Sequence, residues 1–186
     1  MKTPFTKHIL FIASFVGIVF LINGCDDTTI PPEPTNDEEV ITTLKVELKD
    51  SITGQLLNFY FRDLDGEGGN GPSQWDTILL SPNKTYIGLV RFLNESNPNN
   101  IIDVSTEIKN EQTDHIICYT ESGTNTNITR TDSDGNFPVG FTTKWKTPTA
   151  GGGKVTITLK HQAGLKNGSC DPGETDVEVI FPLQVK

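Results

Sequence analysis

The chain is poor in the residues that most chemistry needs, with three histidines, three cysteines and one methionine among 186 residues. It has no Gly-x-Ser-x-Gly elbow, no His-Glu-x-x-His pair, no phosphate-cradling Gly loop and no Cys-His frame. The local signatures of hydrolases, zinc proteases and nucleotide enzymes are therefore missing, and a non-enzymatic role is expected. Basic residues are also scarce, at 15 Lys plus Arg against 24 Asp plus Glu. That balance argues against nucleic acid and against electrostatic adhesion to an anionic membrane. No long stretch shows helical spacing of apolar residues, which argues against a helical or α/β domain.

One apolar run is present, Ile9 to Ile22, preceded by Lys2 and Lys7. Its length suits the hydrophobic region of a secretory signal and is short for a membrane span. It runs into Leu21-Ile22-Asn23-Gly24-Cys25. Leu, two spacers, Gly and Cys match a lipobox, in which the Cys thiol is acylated before cleavage. Residues 1–24 are expected to be a lipoprotein signal peptide, and Cys25 the lipidated first residue of the mature chain. Removing Lys2 and Lys7 leaves 13 basic residues against 24 acids, a formal charge of -11. The lipid alone must then hold the protein to its membrane, which two or more acyl chains on one Cys do stably.

Residues 26–39 carry six acids, three prolines and no basic residue. They cannot bury enough apolar surface to fold, so 25–39 is expected to be an acidic tether, reaching roughly 40 Å if extended. Residues 40–186 are of ordinary size for one domain. Asp26-Asp27 directly after the lipidated Cys resembles the acidic signal by which Bacteroidota lipoproteins reach the cell surface; the alternative is plain solvation of a linker. Display outside the cell is the expected orientation, with the periplasmic face as the other.

From Val40 the dominant period is two. Val40, Thr42, Leu44, Val46 and Leu48 share one strand face, with Lys45, Glu47 and Lys49 opposite. Similar alternation covers 57–62, 86–93, 115–121, 125–131, 139–146, 154–161 and 176–185. Residues 101–109 fit either a helix turn, through Ile101, Val104 and Ile108, or a strand, through Ile102, Val104, Thr106 and Ile108; a strand is expected. The fold class that follows is all-β, an antiparallel immunoglobulin-like β-sandwich of about nine or ten strands. Asp63-Leu64-Asp65-Gly66 recurs as Asp132-Ser133-Asp134-Gly135, each ahead of a Trp, Trp75 and Trp145. Duplication or convergence would explain the echo.

Four groups are candidate sites. Cys118 and Cys170 are left over in an exported chain and are expected to form a disulfide, the alternative being two buried thiols. His115 and His161 are the imidazoles that remain after processing. With Asp114, Glu111 or Glu174 they would suit a metal ion such as zinc, or haem; a hydrogen-bonded structural role is the alternative. Asp63-x-Asp65-x-Glu67-Gly68 begins like a calcium loop, but Gln74 stands where the closing Glu belongs. A tight Asp-Gly hairpin turn is the preferred reading there. Sequons at Asn83, Asn94, Asn127 and Asn167, and the Asp-Ser/Thr-x patterns at Asp27, Asp50 and Asp76, are compatible with glycosylation. No cofactor is expected beyond that metal.

The lipobox with Cys25-Asp26-Asp27, then Glu38-Glu39-Val40-Ile41-Thr42-Thr43-Leu44, Asp63-Leu64-Asp65-Gly66, Leu93-Asn94-Glu95, Asp114-His115, Leu159-Lys160-His161 and Gly173-Glu174-Thr175-Asp176 together resemble small flavobacterial-type lipoproteins of the Bacteroidota envelope. These are often labelled as type 1 periplasmic binding fold, which implies an α/β architecture at odds with the strand pattern. The resemblance implies an outer-membrane location and an accessory role beside a TonB-dependent receptor. Cys118 and Cys170 are not part of the shared pattern. The expected function is therefore a membrane-anchored binding or accessory component of nutrient uptake; the other is a structural or adhesive envelope lipoprotein without a small ligand.

Overall fold

The computed structural model describes residues 39–66 and 68–186. The expected signal peptide, Cys25, the expected tether up to residue 38 and Glu67 lie outside them. The described residues form eleven strands and one short helix. In chain order these are β1 (Thr43–Asp50), β2 (Leu56–Arg62), β3 (Gln74–Trp75), β4 (Ile78–Leu80), β5 (Thr85–Asn94), β6 (Ile102–Asp103), α1 (Ser105–Asn110), β7 (His115–Ser122), β8 (Asn127–Arg130), β9 (Thr142–Lys146), β10 (Gly151–His161) and β11 (Glu174–Val185).

The strands make two sheets. One runs β3-β2-β1-β5-β9-β8 with β6 also on β5, and the other runs β4-β11-β10-β7. All pairings are antiparallel except β4 on β11. Alternation is the reason: Leu44, Val46 and Leu48 of β1, Val90 and Phe92 of β5, Val155, Ile157 and Leu159 of β10, and Val179, Phe181 and Leu183 of β11 are all buried in one core. Each strand thus turns one face inward and leaves charged residues such as Lys45 and Glu47 outside, paired with each other. Trp145 lies fully buried in this core, its indole N–H donating to Thr143 Oγ1 at 2.8 Å. Gly88 leaves room for it, since a Cβ there would stand 2.9 Å from the indole nitrogen.

Three expectations change. Residues 101–109 are not a strand: only Ile102–Asp103 pairs, and Ser105–Asn110 is helical. Val104 and Ile108, four apart, both reach the core while Ile101 and Ile102 stay half exposed, which is the helical spacing rather than the strand one. The Ser105 hydroxyl occupies the ladder instead, accepting from the Phe92 N–H at 2.7 Å. The Asp63–Gly66 motif is not a two-residue hairpin turn but opens a long loop between β2 and β3, where Asp65 accepts from the Asn70 backbone N–H at 2.9 Å. β3 and β4 were not legible at all. The echo of the two Trp motifs does not give equal roles either, because Trp75 is 55% exposed and Trp145 fully buried.

Candidate functional site at one end of the sheets

Cys118 and Cys170 are joined by a disulfide. Cys118 is opposite Thr158 on the outer face of its sheet, and Cys170 comes from the 162–173 loop between β10 and β11, so the bond pins that loop over β7. The same loop is held by Gln162, whose amide donates to the Ser169 and Pro172 carbonyls. Lys166 reaches across to Asp134 at 2.7 Å, both side chains being almost fully buried.

His115 begins β7 and His161 ends β10, and the two are direct partners in the ladder. By alternation with Ile117 and Leu159 both face the inter-sheet layer, with ring centroids 4.8 Å apart and planes tilted by 46°. The pairing of β10 with β11 slips next to these residues, between Leu159 and Lys160. Leu159 pairs with Val177 and Lys160 with Thr175, so Asp176 is the extra residue of a bulge. A bulge re-aims a side chain, and here the Asp176 carboxylate is directed inward, with Oδ2 3.9 Å from His115 Nε2.

Glu39 completes the group. Counted in the tether by composition, it is instead buried, with its side chain 6% exposed and Oε1 3.2 Å from His115 Nε2. The other ring nitrogen, Nδ1, lies 3.2 Å from the Glu111 carbonyl oxygen. A carbonyl only accepts, so Nδ1 carries the hydrogen. The Glu111 carboxylate also comes near: donor atoms of Glu39, Glu111 and His115 all lie within 4.8 Å of one another. Of the acids expected to accompany the histidines, Glu111 joins this donor group, while Asp114 and Glu174 do not. His161 lies tilted against His115 without being part of it.

Beside the cluster a cleft of about 710 Å³ opens between the start of β1, the end of β2 with its loop, and the start of β11. Among the described residues five carboxylates line it, those of Glu39, Asp63, Asp65, Asp176 and Glu178, and no basic side chain does. Phe61, Leu64 and Val177 supply apolar wall. Asp63 Oδ1 and Glu39 Oε2 are buried and have no hydrogen-bond partner among the described residues. Asp65 is held ionised: the Asn70 backbone N–H, then its side-chain amide, lowers its pKa below the ordinary carboxylate value. The arrangement attracts positive charge and offers an apolar shelf next to it.

The sequence singled out Asp63 and Asp65 for an incomplete calcium loop; their place on a cleft wall depends on partners more than a hundred residues away. Glu39 and Asp176 were missed, since nothing in local spacing marks a bulge or the last residues of a tether. No protein-family model matches the chain, and neither does any curated protein or solved structure.

Proposed function

We propose that the protein is a non-enzymatic binding component of the bacterial outer membrane, anchored by lipid on Cys25 and presenting a cleft for a small cationic ligand beside a TonB-dependent receptor. The observation that carries the binding role is the cleft lining, with five carboxylates, no basic group among the described residues and an apolar wall. At such a site a positively charged ligand is favoured and an anionic one repelled. The lipobox and acidic tether support the anchor, and Asp26-Asp27 supports display on the cell surface rather than toward the periplasm. The resemblance to flavobacterial-type envelope lipoproteins supports the receptor.

The domain is read as an immunoglobulin-like β-sandwich. Leaving aside the two-residue strands β3 and β6, nine of the eleven strands remain, in two facing layers over one core. Loops gathered at the ends of such a framework are where ligands are held.

Affinity purification from gently solubilised outer membranes tests the uptake role. Recovery of a TonB-dependent receptor with the protein is expected; recovery of neither receptor nor small ligand would overturn it. That outcome favours the second reading, a structural or adhesive lipoprotein. Its supporting observation is the turn at Asp50-Ser51-Ile52, where Ile52 is 83% exposed and Ser51 is open to modification.

A further inference from the structure

We infer that Glu39, Glu111 and His115 hold one divalent cation of the zinc class, bound through His115 Nε2 and closing the end of the inter-sheet layer. The inference is independent of the ligand proposed for the cleft. It starts from the ring. The Glu111 carbonyl fixes the hydrogen on Nδ1, which is the arrangement that aims the other nitrogen of a ligating histidine at its metal. Nε2 is buried, has no hydrogen-bond partner among the described residues, and faces the oxygens of Glu39 at 3.2 Å and Asp176 at 3.9 Å. A neutral ring so placed would turn its lone pair on two carboxylates. A cation between them converts that repulsion into coordination.

The distances fit. Donors about 2.0 Å from a tetrahedral ion are roughly 3.3 Å from one another, against 3.2 Å between Nε2 and Glu39 Oε1. Glu39 adds a second argument, because its side chain is 94% buried and Oε2 has no hydrogen-bond partner among the described residues. A carboxylate taken out of water and left half unpaired is costly, and coordination through either oxygen relieves it. Glu111 supplies the exposed side, by which an ion enters. The donor set of one imidazole and carboxylates suits zinc and contains no thiolate that would select a softer metal. Once bound, the ion ties together three segments far apart in sequence: the chain just ahead of β1, the turn before β7 and, beside it, the Asp176 bulge. Glu39 and Asp176 are also cleft walls, so the ion fixes the cleft's shape.

The rival occupant of the same gap is a second ring proton, which would make His115 a cation paired with Glu39. The experiment separates the two. Full-length protein in detergent is stripped with chelator and titrated with Zn²⁺ alone, following bound metal by equilibrium dialysis and stability by thermal melting. One equivalent is expected, with a rise in melting temperature, and X-ray absorption should show nitrogen and oxygen donors including a single imidazole. Glu111→Gln, a change at an exposed residue that leaves folding intact, should weaken binding about tenfold or more. Glu39→Gln should weaken it further, while His161→Ala should leave one equivalent bound. An unmoved melting curve, zinc uptake equal in wild type and Glu111→Gln, or an absorption spectrum without imidazole would each overturn the assignment.

Discussion

Replacing Cys118 and Cys170 together by Ala should cost about 4 kcal/mol, and nearly all of that loss should come from the unfolded chain. The bond spans a sequence separation of 52, and closing a loop of that size removes about 4 kcal/mol of chain entropy at 25 °C. In the folded state the 162–173 loop has other attachments, namely Lys166 to Asp134 and to the Gln112 carbonyl, and Arg130 to the Gly168 carbonyl at 3.2 Å. The double variant should therefore keep its fold. Urea titration gives the readout: the midpoint should fall, and the slope should rise because the uncrosslinked chain exposes more surface. For a domain of this size the melting temperature should drop by on the order of 10 °C. A loss below about 1 kcal/mol with an unchanged slope would refute the entropic reasoning. A folded state with its near-ultraviolet signal lost would refute the claim that the loop is held independently.

Acid should destabilise the domain in a defined window. The Thr53 and Ile52 N–H groups, aided by Lys84, bring the Asp50 pKa down to about 2. At Asp134 burial works the other way, but Lys166 and then the N–H groups of Phe137 and Asn136 outweigh it and also hold the pKa at about 2. Both values lie below those of the unfolded chain, so the stabilisation is complete above about pH 4 and is lost as pH falls toward about 2. Urea midpoints measured from pH 7 down to pH 2 should follow that course, with a shallower decline in Asp134→Asn. Gly88→Ala should cost about 1–3 kcal/mol through crowding of Thr143 and Trp145, seen as a lower midpoint and a shift in Trp145 fluorescence. Cells fed labelled palmitate should label the wild type but not Cys25→Ala, and the variant should leave the membrane fraction; a membrane-bound, unlabelled variant would remove the anchor from the account.

What was legible in the sequence follows from how local each signal is. A period of two survives in β1, β5, β10 and β11 because each has a fully buried inner face, and so their strands could be read from single windows. Residues 101–109 misled because Val104 and Ile108 fit both periods, and the deciding fact, the Ser105 hydroxyl taking the place of a ladder partner on Phe92, involves a residue 13 positions upstream. β3 and β4 are too short for any period to show. At the site, the register that pairs His115 with His161 is a property of two strands whose histidines are 46 positions apart, and the bulge at Asp176 is a property of a third. Composition marked Glu39 as tether for good reason, since its neighbours are acids; only the buried ring of His115 gives it a place in the fold.

The central claim, that the anchored domain is a binding protein for a small cation-bearing ligand, meets its most direct test in native mass spectrometry of the protein taken from its own outer membranes. The account predicts a stoichiometric small cationic molecule on the wild type, absent from an Asp63→Asn, Glu178→Gln variant that retains any zinc held at Glu39 and His115. A wild-type mass that differs from the variant by the substitutions alone would contradict it.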